Sequence, residues 1–157
     1  MNVHRFSEMK EVFPSTGGLR AIAKETSANE PILMLLPSDG CGAYDMTSEL
    51  AELANETLDA DSYTEIAMGA DQTEAALNLV ESAVVNGCWI CLKNVHLVSH
   101  WLPTLERTVD QLLTDSDSEA TSRFRLWMTA EPLSTLPLTL LQRCKKIVSE
   151  VKFCSLK

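Results

Sequence analysis

The 157 residues are 45% hydrophobic and 22% charged, the proportions of a folded domain, and a chain this long buries roughly 70% of its unfolded surface without needing disulfides or a structural metal. Thirteen Lys and Arg against 22 Asp and Glu leave a formal net charge of -9 and a pI near 4.7, a field that repels phosphate backbones and anionic lipid and so excludes nucleic acid and membrane surfaces as main partners. The longest apolar runs, such as ILMLL at 32–36, fall far short of a bilayer span, the start MNVHRFSEMKEVF has no apolar signal core, and the odd set Cys41, Cys88, Cys91, Cys144 and Cys154 fits reduced thiols in a cytoplasmic setting.

Residues 1–30 read as helical in parts, broken at Gly17-Gly18, and as an extension ahead of a core spanning 31–152. Pro31 stops that segment, and 32–36 reads as a strand buried on both faces. The turn Ser38-Asp39-Gly40-Cys41-Gly42 follows, then a helix over 45–58 with Met46, Leu50, Leu53 and Thr57 at helical spacing. YTEIAM at 63–68 predicts a weaker second strand. A helix opening at Asp71 or Gln72 carries the stripe Ala76, Leu77, Val80, Ala83 and Val84, and Asn86-Gly87 closes it as a C-terminal cap.

A third strand is expected over 88–92. Next, a helix is predicted from His96 to about residue 113, on Leu97, Trp101, Leu105, Val109 and Leu112; Pro103 either interrupts it or sits in its first turn. TDSDSE at 114–119 reads as a solvated loop, 124–128 as a fourth strand, 138–144 as a short helix and 146–151 as a fifth strand. Strands alternating with amphipathic helices, without a repeat or a long linker, predict a single α/β domain with a parallel sheet over the whole of 1–157.

The first strand, its glycine-bearing turn and the next helix have the layout of a phosphate-binding loop. That loop needs glycines whose N–H groups surround phosphate, a Lys for its charge and a hydroxyl for Mg²⁺. Here PSDGCGAYDMTSEL supplies Ser38, Asp39, Gly40 and Gly42 but no Lys or Arg, and Asp39 and Asp45 add negative charge where phosphate would lie. An ATPase would end the third strand with carboxylates for Mg²⁺ and for the attacking water. This strand runs into Lys93 and Asn94, which can do neither at neutral pH.

Cys88-x-x-Cys91 has redox or metal spacing, but in an extended strand residues three apart point to opposite faces, so both thiols read as packing. His96 and His100 have the i, i+4 spacing of a zinc-binding helix face, without the Glu of H-E-x-x-H. Trp89, Trp101 and Trp127 supply bulk for a core or an interface. No metal, no cofactor and no catalytic residue is expected.

With these residues laid out, the chain resembles the large subdomain of the sixth AAA+ module of dynein heavy chains. ETSANEPILMLLPSDG, AMGADQTEAAL, NGCWICLKNVHLVSHWLPTLE and FRLWMTAE carry the likeness. The third stretch follows the pattern G-x-W-h-h-L-x-N-h-H-L-x-x-x-W-L-P-x-L-E at Gly87, Trp89, Leu92, Asn94, His96, Leu97, Trp101, Leu102, Pro103, Leu105 and Glu106. Its Cys91-Leu92-Lys93-Asn94 looks more like the intraflagellar-transport form than the Leu-Gln-Asn of other dyneins.

The resemblance implies a three-layer αβα sandwich with a five-stranded parallel sheet in the order 5-1-4-3-2. It also implies a module that neither binds nor hydrolyses ATP and that passes movement between adjacent AAA+ modules of the same heavy chain. Microtubules and other dynein subunits would be met only through the parent motor, in the cytoplasm, cytoskeleton and cilium. SDGCGAYD departs from the family's SPGxDP after the first strand, and the small helical subdomain has no counterpart here. The rival reading is a small α/β enzyme or metal-binding domain using the Ser38 to Gly42 turn or the His96/His100 face.

Overall fold

A computed structural model of the chain describes residues 18–36, 46–59, 61–132 and 134–148. Strands β1 (Ile32–Leu35), β2 (Tyr63–Ala67), β3 (Trp89–Lys93), β4 (Arg125–Ala130) and β5 (Lys145–Val148) form one parallel sheet in the order β2-β3-β4-β1-β5. This is the expected 5-1-4-3-2 order read from the other edge. Parallel neighbours cannot be joined by tight hairpins, so helices make the crossovers. They are α1 (Gly18–Glu25), α2 (Met46–Thr57), α3 (Thr73–Asn86), α4 (Leu102–Asp115), α5 (Glu119–Ser122) and α6 (Leu138–Arg143).

The period-two alternation of the inner strands sorts their side chains into two cores. Ile32, Met34, Trp89, Cys91, Trp127 and Ile147 face Leu19, Ile22 and Ala23 of α1 and Leu50, Leu53 and Ala54 of α2. Leu33, Leu35, Ile90, Leu92, Leu126 and Met128 face the apolar stripes of α3 and α4 on the other side. Burial on both faces is why β1, β3 and β4 read as continuous apolar runs. β2 lies at an edge with most of its side chains exposed or half-buried, which accounts for its weaker signal. Trp89 and Trp127, from neighbouring strands, pack with ring centroids 5.3 Å apart at 46°, a tilted aromatic contact that contributes about 1 kcal/mol beyond its burial.

α1 falls within the segment expected as an extension, and its Leu19, Ile22 and Ala23 are buried against the sheet. Gly87 closes α3 in the left-handed region at φ 70°, with its N–H on the Ala83 carbonyl. A Cβ there would lie 2.2 Å from the Ala120 carbonyl oxygen, so only glycine lets α3 turn into β3 beside α5.

Two expectations are corrected. The helix predicted from His96 to about residue 113 is divided: Val95–Val98 is a 3₁₀ turn, 99–101 are turn residues, and α4 begins at Leu102. Pro103 sits in the first turn of α4, where its missing N–H is not needed. The loop predicted at 114–119 shrinks to the joint between two helices. α4 runs to Asp115, and the Ser118 hydroxyl caps α5 by accepting the Thr121 N–H at 3.1 Å.

Candidate functional site

In an open parallel α/β sheet, ligands bind outside the carboxyl ends of the strands. Ser38, Asp39, Gly40 and Gly42, the residues expected to form the vestigial phosphate loop, lie outside the described residues. The rim they would adjoin is described at β3 and β4, and it is built from hydrogen bonds between strand ends.

Lys93 ends β3 and alternates onto the same face as Cys91. Glu65 of the edge strand pairs in register with Cys91, and the Lys93 ammonium reaches diagonally to its carboxylate, Nζ to Oε2 2.7 Å. Both side chains are about one-third exposed (33% and 30%), so the pair contributes up to about 1 kcal/mol. Its chemical consequence is larger than its energy. The cation at the end of β3 is already matched to an acid.

Asn94 turns the chain off the sheet in the left-handed region at φ 62°, a conformation that Asn adopts more readily than most residues. Its N–H donates to the Thr129 hydroxyl at 2.9 Å, which joins the end of β3 to the buried end of β4. Leu36 continues the line by donating its N–H to the Ala130 carbonyl at 2.9 Å. His96, in the 3₁₀ turn, accepts the Glu131 N–H on Nδ1 at 3.4 Å, while its Nε2 lies 3.8 Å from the Glu131 carboxylate. Two separate contacts, the Asn94 N–H on Thr129 and the His96 ring on Glu131, thus hold the two strand ends together.

The predicted His96/His100 face does not form. In 3₁₀ and turn backbone, residues four apart no longer stack as they do on an α-helix; His96 turns to Glu131 and His100 is exposed. Among the described residues, no three or more His, Cys, Asp or Glu side chains cluster in a way that could hold a metal ion. No helix among them is long and apolar enough to cross a membrane.

The two cysteines of the C-x-x-C spacing part as expected. Cys91 is buried with the α1–α2 core, and Cys88 packs against the α3–α4 core. Burial, with the Glu65 carboxylate adding to it, pushes the Cys91 thiol up to about 12, so it is neither a ready nucleophile nor a ready ligand at neutral pH.

The other motif residues are spread through the fold. Gly87 and Trp89 lie at the amino end of β3, where the Trp89 indole donates to the Arg123 carbonyl at 3.2 Å. Trp101 is buried in the α3–α4 core just ahead of α4. Glu106 of α4 accepts from the Thr139 hydroxyl of α6 at 3.3 Å, its other oxygen is buried without a partner among the described residues, and burial raises its pKa. Glu65, Thr129 and Glu131 complete the rim without having been singled out in the sequence. The lone hydroxyl in the apolar run LWMTA was the available signal for Thr129.

The family model of the dynein heavy chain region D6 P-loop domain matches residues 27–148. Over 142 residues the chain is 42% identical to cytoplasmic dynein 2 heavy chain 1 of Tripneustes gratilla and 39% identical to that of Homo sapiens. Over 144 residues it is 37% identical to that of Chlamydomonas reinhardtii. Each alignment covers 90% of this chain and 3% of the relative, so the chain spans a small part of the length of these relatives. Its five-stranded parallel sheet has the strand order that the family resemblance implies, and the chain belongs to the dynein heavy chain family, in its D6 P-loop region.

Proposed function

We propose that residues 1–157 form a single degenerate AAA+ large subdomain, the sixth module of a dynein heavy chain of the intraflagellar-transport type. In this reading it binds no nucleotide productively. It joins adjacent AAA+ modules of the same heavy chain and relays rigid-body movement between them. Minus-end-directed movement on microtubules, retrograde intraflagellar transport and residence in the cytoplasm and cilium would follow through the parent motor; the names of the relatives, cytoplasmic dynein 2 heavy chains, support the cytoplasmic motor part of this reading.

One observation carries the reading: Lys93 at the end of β3, held 2.7 Å from Glu65. Hydrolysis of a nucleoside triphosphate at such a rim needs Mg²⁺ held near the β- and γ-phosphates and a group that orients the attacking water. A cation at that position repels the metal, and an amide beside it cannot take the water's proton. In support, Asp39 and Asp45 bring negative charge to the segment where a phosphate loop would keep its Lys. What remains useful is stiffness. A sheet packed on both faces and stapled at the ends of β3 and β4 transmits a displacement from one flank to the other without bending.

A heavy chain carrying this module tests the relay. Trp127→Phe loosens the Trp89–Trp127 contact at the centre of the sheet without removing the core side chain. The expected result is unchanged basal ATP turnover with microtubule-stimulated turnover lowered severalfold. Stimulation equal to that of the unaltered motor, in a variant whose unfolding confirms the loosened core, would count against a relay role.

A further inference from the structure

At the amino end of the strands, opposite the rim, a cavity of about 310 Å³ opens between α1, α2 and the first residues of β3 and β4. Arg20, Lys24, Arg123 and Arg125 line it, together with the single carboxylate of Glu56 and the flank of Trp89. In a chain of net charge -9 this is a local excess of positive charge.

Among the described residues, three of the five basic side chains outside the cavity are answered by acids: Lys93 by Glu65, Arg143 by Asp110 and Lys145 by Glu25. In the cavity, among the described residues, only Arg20 makes an ion pair, with Glu56. Lys24 and Arg123 are exposed and make no ion pair among the described residues. Arg125 donates Nη1 to the carbonyls of Ser122 and Phe124, at 2.8 and 2.7 Å, and its Nε is buried without a partner among the described residues. Burial lowers its pKa, the mark of a guanidinium short of water, although the Glu30 carboxylate acts in the opposite direction. Trp89 fixes the floor, because its indole holds the Arg123 carbonyl.

We propose that this cavity docks an acidic segment of polypeptide from outside the chain, with spaced carboxylates on Lys24, Arg123 and Arg125 and an apolar side chain between them against Trp89 and Leu53. The cavity is at the small end of the range for bound organic molecules, enough for two or three side chains. Its apolar wall suits carboxylates interleaved with an apolar residue better than a bare phosphate. Glu56, inside the lining, repels dense phosphate charge more than spaced carboxylates. This docking site lies at the far end of the strands from the rim, and its test is independent of nucleotide binding there.

Amide and side-chain ¹⁵N spectra of the 157-residue chain, titrated with the peptide acetyl-Glu-Leu-Glu-Glu-Leu-Glu-amide, test the proposal. Saturable shifts are expected at the Trp89 indole N–H and the Arg125 Nε–H. Lys24→Glu and Arg123→Glu, both at exposed positions, should each weaken binding by about tenfold, while Arg107→Glu on α4 leaves it unchanged. Four results would overturn the proposal. They are no saturable shift, equal shifts with the Gln-for-Glu peptide, equal weakening by Arg107→Glu, and the same shifts with inorganic phosphate at the same concentration. The last would make the cavity a small-anion site.

Discussion

At the scale of single residues, the side chains of this chain are explained by position. Gly87 is required twice over, by its positive φ and by the Ala120 carbonyl 2.2 Å from where a Cβ would stand. Gly87→Ala should therefore destabilise the domain by roughly 2–4 kcal/mol, more than the left-handed backbone alone would cause. Urea unfolding measures this, and a loss below about 0.5 kcal/mol would contradict the close approach of α5. Glu106 makes the opposite case. Burial raises its pKa in the folded state above the unfolded value of about 4.3. Its contribution to stability is thus fully present below about pH 4.3 and is lost as pH rises through the raised value. Glu106→Gln keeps an acceptor for Thr139 and should stabilise the chain at pH 7 by up to about 0.5 kcal/mol, with little effect at pH 4. A loss of stability at pH 7 would show that the carboxylate is held by a partner instead. Of these residues, Gly87 was legible in the sequence because Asn-Gly after a helical stripe is a local signal. The setting of Glu106 was not, since Thr139 lies 33 residues away and only the packing of α4 against α6 brings it near.

At the scale of elements, continuous apolar runs marked the inner strands, because helices cover both faces of the sheet and period-two alternation only sorts side chains between two apolar cores. The same alternation decides the fate of Cys88-x-x-Cys91, which the fold sends into two different cores. With burial pushing Cys91 and Cys144 each to about 12, iodoacetamide at pH 8 should leave both unmodified in the folded chain and alkylate them only after denaturation. Peptide mass spectrometry checks this, and rapid modification of Cys91 in the folded state would mean that the strand opens readily. The segment after β3 was misread for a physical reason. Leu97, Trp101, Leu105 and Val109 repeat every four residues, but the first two belong to a 3₁₀ turn and to the residue ahead of α4. A repeat of that length fits one continuous helix as well as a turn joined to a helix, and Pro103 was the local clue to the division. Rim contacts such as Asn94 to Thr129 and His96 to Glu131 span 35 residues. They depend on strand register, which the sequence of either strand alone does not specify.

At the scale of the whole molecule, five parallel strands between two helical layers make a stiff plate in which, among the described residues, the carboxyl ends of β3 and β4 are joined by their own polar groups. The chain has the sheet of a P-loop domain, and in the proposed reading Lys93 and Asn94 stand where the chemistry would reside. Isothermal titration of Mg²⁺-ATP into the 157-residue chain tests this directly. The account predicts no saturable heat at micromolar nucleotide. Micromolar binding that depends on Mg²⁺ would contradict it.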